Sequence, residues 1–450
     1  MTSSTPSQNA LDLTQDLIAR ALKCGADAAD AVLFEGVSFD AAFRLGKLEE
    51  ITRSESQDLG LRVLIGQQQA SVSTTDFRPE TLTALVERAV AMARSAPEDP
   101  HCGLAPAELL ATSFPELDLI DAHEPDGQEL AALAAETEET ARAIPGITNS
   151  DGAGASWGRG GVALATSKGF AGQYSSTNFS LSCAVIAGSG KEMENAYDFH
   201  SAHHRSDLKS PEEIGATAAK RALRALHPKP VASGAYPVVY EDRVANSLLR
   251  HFAGAITGTG IARGTSFLKD KLGAPVFADS ITIVDDPHKK RGLASKPFDG
   301  EGVANKTRTL IDNGTLTTWL LDIATAHQLG LTTTGHATRS AGAPPSPGWT
   351  NLHMLPGIST PEELISDIVQ GLYVTSMFGP SVNPTTGDYS AGVSGLWIEN
   401  GALAHPVNEI TIAGNLIDMF KNITPANDLS FRFGTNAPTL RVEGMTVASA

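Results

Sequence analysis

The stretch from Leu248 to Gly264 reads LLRHFAGAITGTGIARG and determines how the second half of the chain is interpreted. Apolar side chains recur every four residues at Val244, Leu248, Phe252 and Ile256. Residues four apart lie on one face of a helix, so this periodicity predicts a helix whose apolar face points into the core.

The predicted helix is followed by the glycines Gly258, Gly260 and Gly264. Their number favours a flexible turn over continued helix. Their spacing misses the dinucleotide-binding fingerprint by one residue, and they follow a helix where that motif follows a strand. Because the strand-like run from Tyr236 to Tyr240 precedes the helix, we interpret the glycines as a flexible wall of a pocket.

The composition is that of a globular protein of 450 residues, 41% of them hydrophobic, a length that predicts two domains. The formal net charge of −17 argues against binding to nucleic acid or to an anionic membrane surface, since both require clustered Lys and Arg. The three cysteines form no Cys-x-x-Cys pair and are typical of reduced thiols. The N-terminus lacks a signal-peptide pattern, and no apolar run approaches the roughly 20 residues that span a bilayer. We therefore expect a cytoplasmic protein.

The first half of the chain combines helices with strand-rich segments. Apolar residues at helical spacing predict helices at 11–23, 79–96, 127–143 and 211–226. Between residues 31 and 75, short apolar runs broken at Gly36, Gly46 and Gly66 predict an antiparallel meander. The acidic, proline-interrupted region that starts at Ser95 is predicted to be extended and exposed until the helix at 127.

The segment His227-Pro228-Lys229-Pro230 is the best candidate for a linker, because proline stops both helix and strand. Short strand signals follow it, and Asn313-Gly314 and Asn400-Gly401 predict tight hairpin turns. The predicted fold is therefore α+β. Residues 1–228 are expected to form a domain of antiparallel meander with flanking helices, and residues 229–450 a mostly-β sandwich-like or barrel-like domain with one buried helix.

Two groups of polar residues are weak candidates for metal binding. His200, His203 and His204 form the densest histidine cluster, but a surface loop is the simpler interpretation. The run Asp285-Asp286-Pro287-His288 offers two carboxylates and an imidazole, although this composition is first of all typical of a turn. His251 is expected to be a partly exposed histidine at the edge of the apolar helix face.

The order of several short motifs along the chain resembles the TldD/PmbA (TldD/TldE) metallopeptidase family. In the second half these are Leu248–Gly254, Gly264–Leu268, Leu272-Gly273 and Ile281–Pro287, and they are supported by Gly60–Val63, Pro237–Val239, Asn427-Asp428 and Ala437–Val442. The resemblance covers nearly the full chain, and its specificity lies in the order of the motifs.

The TldD branch of this family carries a zinc-binding His-Glu-x-x-x-His motif on the helix, with a further cysteine ligand near the C-terminus. The matching positions here are Arg250, His251 and Ala255. Arginine does not deprotonate to become a ligand and alanine has no donor atom, so a zinc site is not expected. The cysteine has no counterpart either, since the cysteines all precede the linker. The chain resembles the PmbA/TldE branch, which lacks the metal ligands.

The resemblance implies a cytoplasmic heterodimer in which a TldD-like subunit carries zinc and cleaves unfolded or small modified peptides. This chain is then expected to bind no cofactor and no catalytic residue is assigned to it. It would complete the chamber and handle the peptide, with Arg250, His251, Gly258, Gly260 and Arg263 as candidate substrate-binding residues. A homodimer of this chain is the alternative assembly when the partner is absent.

Two other functions are compatible with the sequence. The first is a peptide-binding or scaffold protein without a proteolytic role. The second is a stand-alone hydrolase that uses residues such as His251, Asp285, Asp286 and His288. Fold resemblance limits function without fixing it, so both alternatives stay open.

Overall fold

The computed structural model describes residues 8–449 of the chain. The fold is α+β, as predicted, with an antiparallel half-barrel in the N-terminal part and a β-barrel in the C-terminal part. Within the described residues, no helix has the length and apolar content that crossing a membrane requires.

The helices and strands follow one another along the chain in two groups. The N-terminal part contains α1 (Gln8–Lys23), β1 (Ala28–Arg44), β2 (Lys47–Ile65), β3 (Gln68–Thr74), α2 (Pro79–Ser95), α3 (Gly127–Arg142), β4 (Ile147–Thr166), β5 (Ala171–Ala187), β6 (Glu194–Ala202) and α4 (Pro211–Arg224). The C-terminal part contains β7 (Gly234–Tyr240), α5 (Asp242–Ala255), α6 (Gly258–Ala262), β8 (Ile283–Asp285), β9 (Arg308–Asp312), β10 (Thr315–Leu316), α7 (Ile323–Leu329), β11 (Ala337–Ser340), β12 (Ala343–Pro347), β13 (Leu352–Met354), α8 (Pro361–Ile365), β14 (Gln370–Val382), β15 (Asp388–Glu399), β16 (Ala402–Asn415), α9 (Leu416–Lys421), β17 (Ile423–Pro425), β18 (Thr435–Asn436) and β19 (Leu440–Ser449).

The N-terminal strands are longer than the sequence indicated and form one antiparallel sheet in the order β3-β2-β1-β4-β5-β6. Gly46 and Gly66 lie in the turns with positive φ, as expected. The predicted break at Gly36 is wrong, because Gly36 lies inside β1 and is paired with Ser56 on one side and Gly160 on the other. Pairing on both sides supplies the backbone hydrogen bonds that hold a glycine in a strand.

Helices flank this sheet, which confirms the predicted arrangement. The helices α1 and α2 bury their apolar faces against one end of the sheet, and α3 and α4 pack against the other. The N-termini of α3 and α4 are capped by side chains, since Asp126 accepts from the backbone N–H of Gln128 and Glu129, and Ser210 forms a capping box with Glu213.

The acidic region after α2 is only partly the exposed segment that was predicted. Most of its polar residues face solvent, but Leu117 and Leu119 are buried. The backbone of this segment forms hydrogen bonds with both parts of the chain. The Ala111 N–H donates to the Gly302 carbonyl at 2.9 Å, and the Leu119 carbonyl accepts from the Thr177 N–H at 2.9 Å. These bonds satisfy a backbone that has little regular structure of its own, so the segment is fixed at the junction.

The C-terminal part is organised around a barrel. Its strands follow the order β16-β15-β14-β7-β19, and pairing of β16 with β19 closes the circle. A second sheet has the order β10-β9-β8-β13-β18. The helix α5 contacts β7 and β14 of the barrel and β13 and β18 of the second sheet. It therefore lies in the largest apolar cluster of the described residues.

The two hairpin turns predicted in the C-terminal part are confirmed, but short helices were missed. Asn313-Gly314 and Asn400-Gly401 have positive φ at both residues, as tight primed turns require. The expectation of one buried helix was incomplete, because α6, α7, α8 and α9 add short helices. Helices of this length show too little periodicity to be recognised, although α8 begins with the capping box formed by Thr360 and Glu363.

A buried ion cluster joins the two parts of the chain. Asp30 on β1 accepts from Arg62 Nε on β2 at 2.8 Å and also pairs with Arg339 on β11. All three side chains are almost fully buried. Beside them, a Cβ atom on Gly60 would overlap the Ala341 carbonyl oxygen, so glycine permits this close approach. The predicted division into domains at residue 228 falls between α4 and β7 and stays a prediction.

Candidate functional site

The helix α5 has a buried face and a face that lines a cleft. Leu248 and Phe252 are buried in the apolar cluster, which confirms the predicted core-facing helix. Arg243, Ser247 and Arg250 line the cleft. Their spacing of four and three residues places them on one side of the helix, away from the core.

The cleft lies between the two parts of the chain and has a volume of about 550 Å³. One wall comes from β6 and α4 of the N-terminal part, and the other from α5 with β14, β15 and β16 of the C-terminal part. Its main side chains are Glu194, Tyr197, Phe199, Arg221, Arg224, Arg243, Arg250, Met377, Phe378 and Phe433. We call this site the arginine cleft.

Two of its arginines are neutralised by carboxylates. Arg221 pairs with the buried Asp198 at 2.5 Å, and Arg224 pairs with Glu241 at 3.5 Å. Among the ion pairs of residues 8–449, none involves Arg243 or Arg250. Arg243 instead lies over the ring of Tyr197, at 5.0 Å from its centroid.

The charge of Arg243 is poorly compensated. Burial, with a further contribution from Arg221, lowers its pKa below the usual value. Arg250 is exposed at the helix surface. The cleft therefore presents free positive charge in a chain whose net charge is −17.

His251 follows Arg250 but does not line the arginine cleft. Its ring lies at 5.8 Å from that of Tyr389 in an edge-on arrangement, and its Nε2 atom is buried without a hydrogen-bond partner in the described structure. Burial and the neighbouring Arg250 lower the pKa of His251, which disfavours the charged ring. The prediction of a partly exposed histidine holds for the side chain as a whole.

The three motif positions on α5, Arg250, His251 and Ala255, do not fit a zinc ion. Arg250 and Ala255 have no atom that ligates zinc, which leaves only His251. Across residues 8–449, no three His, Cys, Asp or Glu side chains converge as a metal site would require.

The glycine-rich segment after α5 is not the flexible turn that was predicted. Residues 258–262 form the short helix α6, whose Gly258 N–H donates to the Leu320 carbonyl at 2.8 Å. Gly258 is buried, and a Cβ atom there would overlap the Thr325 side chain. Gly260 is partly buried and Arg263 is exposed at the end of α6. The lining of the arginine cleft, within the described chain, includes Arg250 but not Gly258, Gly260 or Arg263.

Two glycines of this stretch are expected to respond oppositely to alanine. Gly258→Ala should lower the free energy of unfolding by about 1–3 kcal/mol, because the added methyl group has no room. Gly254→Ala should raise it by about 0.5–1 kcal/mol, because Gly254 is an exposed helical residue with open space around it. Urea unfolding of both variants checks this, and a Gly258→Ala variant as stable as the wild type would contradict the tight packing of Gly258.

The histidine cluster is not on a surface loop, so that interpretation is wrong. His200 lies on β6, and His203 and His204 are buried. The His203 ring nitrogens contact the carbonyl oxygens of Thr177 at 2.5 Å and Gly292 at 3.1 Å. The His203 imidazole joins the N-terminal sheet to the C-terminal part, a role that only the tertiary structure reveals.

The side chains of Asp285, Asp286 and His288 also form structural hydrogen bonds. Asp285 is buried and accepts from the backbone N–H and the hydroxyl of Thr350, both at 2.7 Å. Asp286 accepts from the Thr307 hydroxyl at 2.8 Å. His288 Nε2 lies 2.8 Å from Asn305 Oδ1. These residues do not line the arginine cleft in the described part of the chain, and the structure does not bring them together with His251.

Several residues of the cleft were missed by sequence reasoning. Arg243 could have been found, since it lies two helical turns before Arg250 on the face opposite the apolar one. Tyr197, Arg221 and Phe378 could not, because they reach the cleft only through the packing of β6 and α4 against the barrel.

Comparison with known proteins gives one consistent family. Models described as PmbA/TldA metallopeptidase domain 1, central domain and C-terminal domain match residues 29–93, 120–226 and 233–449. The chain is 37% identical over 429 residues to Metalloprotease PmbA of Escherichia coli O157:H7, which covers 94% of this chain and 92% of the relative. It is 36% identical over 431 residues to the Metalloprotease PmbA homolog of Haemophilus influenzae, covering 95% and 93%.

Solved structures agree with the sequence relatives. A crystal structure from Bacteroides thetaiotaomicron has a TM-score of 0.89 and 27% identity, covering 99% of this chain and 100% of that one. TldE from Thermococcus kodakarensis has a TM-score of 0.85 at 19% identity, covering 97% and 99%, and shows the same fold. From the family models and these relatives together, we conclude that the chain belongs to the PmbA/TldD metallopeptidase family.

Proposed function

We propose that this chain is the PmbA/TldE-like subunit without metal in a cytoplasmic TldD/TldE-type metallopeptidase. In this proposal a TldD-like partner carries zinc and hydrolyses the peptide bond, while this chain shapes the chamber and handles the peptide. The observation that carries the proposal is α5 itself. The helix lies between the barrel and the second sheet. By the resemblance, its residues Arg250, His251 and Ala255 match the two histidines and the glutamate of the TldD-branch motif.

The rest of the chain supports a role in binding rather than in cleavage. The cleft beside α5 presents arginine and aromatic side chains to solvent, as a surface for peptides would. Asp285, Asp286 and His288 are engaged in structural hydrogen bonds, so the stand-alone hydrolase has no observation in its favour. A peptide-binding protein without proteolytic role is the second candidate, and the arginine cleft favours it equally.

Affinity purification of this chain from its native cell, followed by mass spectrometry and metal analysis, separates these functions. We expect it to elute with a protein that carries a His-Glu-x-x-x-His motif, and zinc should rise and fall with the amount of that partner. Zinc that follows this chain in the absence of the partner would contradict the proposal. Elution with an unrelated protein and no such partner would favour the peptide-binding alternative.

A further inference from the structure

We propose that the arginine cleft binds a peptide segment through its carboxylate groups, with an apolar side chain next to them. The inference rests on the proposed function for the statement that the ligand is a peptide. The peptide is acidic, and the residues of the arginine cleft select it. The binding site therefore lies at the junction of the two parts and not at the glycine-rich segment after α5.

The charges in the cleft favour a carboxylate. Asp198 and Glu241 are already paired with Arg221 and Arg224, which leaves the guanidinium groups of Arg243 and Arg250 without an acidic partner in the described structure. A guanidinium binds a carboxylate through two parallel hydrogen bonds, and these are stronger than bonds between neutral groups. The poorly compensated charge of Arg243 makes an external carboxylate a favourable addition.

Glu194, the acidic residue among the main side chains of the cleft, does not pair with Arg243 or Arg250. Glu194 lies on β6, where its Oε1 atom accepts from the Asn408 side chain at 3.3 Å. Burial raises its pKa, and Asn408 offsets only part of this effect. The carboxylate of a ligand is therefore expected on the α5 side of the cleft, where Arg243 and Arg250 lie two turns apart on one helix face.

The aromatic side chains of the cleft favour an apolar neighbour for that carboxylate. Tyr197 is 52% exposed and Phe378 is 55% exposed, although both line the cleft. Phe199 and Phe433 lie close to each other, with 5.7 Å between their ring centroids. Exposed aromatic rings that border free arginines provide both parts of a recognition site, because a ligand can cover the rings while it neutralises the charge.

The shape of the cleft favours an extended peptide over a compact anion. Its volume of about 550 Å³ is far larger than a single phosphate or sulfate requires. The strand β6 forms one wall and is the last strand of its sheet among the described residues, so one backbone edge has no strand partner. Such an edge can pair with an extended chain, while the side-chain pockets select its residues.

The test measures binding of labelled short peptides to the isolated full-length chain by fluorescence polarisation. The probes are an acidic peptide with aromatic residues and a free C-terminus, the same peptide as its C-terminal amide, and a version with Gln and Asn in place of the acidic residues. The proposal predicts that the free acidic peptide binds and that added salt weakens it. If the C-terminal amide no longer binds, the C-terminal carboxylate is the group that the cleft recognises. If the peptide with Gln and Asn no longer binds, the acidic side chains are the groups that the cleft recognises. Equal binding of all versions, or of none, overturns the proposal.

The variants Arg243→Gln and Arg250→Gln, alone and together, locate the site. The double variant should weaken binding of the acidic peptide by at least about tenfold. Arg88→Gln is the matched control, because Arg88 is exposed on α2 and does not line the cleft in the described structure, and it should change affinity less than about twofold. Arg250 is exposed, so its variant keeps the test valid if Arg243→Gln impairs folding.

An equal loss with Arg88→Gln, or no loss with Arg250→Gln, would overturn the assignment to this cleft. The partner plays no part in this measurement. Failure of peptide binding therefore leaves the proposed subunit role standing, and failure to find the zinc-bearing partner leaves the binding result standing.

Discussion

Replacement of Asp30 by asparagine is expected to lower the free energy of unfolding by about 3–5 kcal/mol. The Asp30 carboxylate is buried and neutralises both Arg62 and Arg339, which are buried as well. The variant leaves these two guanidinium groups in a low-dielectric site without their counterion, and that cost is not recovered by solvent. Because Arg339 belongs to the C-terminal part, the variant also weakens the contact between the two parts.

Urea unfolding of the wild type and the variant gives the difference directly. The control is Asp16→Asn, which breaks an exposed ion pair with Arg20 at 2.6 Å and should cost less than about 1 kcal/mol. The double variant Asp30→Asn/Arg339→Met should lose less free energy of unfolding than the sum of the losses in the two single variants. The reason is that Arg339→Met removes one of the charges that Asp30→Asn leaves uncompensated. An Asp30→Asn effect no larger than that of Asp16→Asn would contradict this description of the junction.

The effect of Asp30→Asn should also depend on pH. Burial by itself would raise the pKa of Asp30, but the charges and hydrogen bonds of Arg339 and Arg62 outweigh it and lower the pKa below its usual value. A carboxylate with a lowered folded pKa contributes stability above its unfolded pKa of about 3.9 and loses it as pH falls through the folded pKa. The difference between wild type and variant should therefore be full at pH 7 and shrink only in strong acid.

The elements predicted from sequence are those whose signal is local. The period of four in α5 and the positive-φ turns at Asn313-Gly314 and Asn400-Gly401 need only neighbouring residues, and the structure confirms them. Gly36 was misread because its conformation is set by pairing with strands far away in sequence. The closure of the barrel by β16 and β19 is a long-range pairing of the same kind.

The site was harder to predict than the fold. Arg250 was identified because it stands at a motif position, but the residues that surround it come from β6, α4 and the barrel. Gly258 was proposed to contact substrate, whereas its missing side chain makes room for Thr325. A glycine that permits close packing and a glycine that permits ligand approach look the same in a sequence.

The helix α5 uses different residues to pack in the core and to line the arginine cleft. The residues that place the helix in the core, Leu248 and Phe252 among them, are independent of the residues on its exposed side. Our proposal is that this side now presents arginines to a peptide.

Reconstitution with a TldD-like partner tests the central claim most directly. Peptide cleavage is measured with this chain alone, with the partner alone, with both, and with a partner whose motif glutamate is replaced by glutamine. We expect no cleavage by this chain alone, cleavage by the mixture, and a loss of about 10²–10⁴-fold with the glutamine variant, because that glutamate acts as the general base. Cleavage by this chain alone that persists in a strong chelator would contradict the claim.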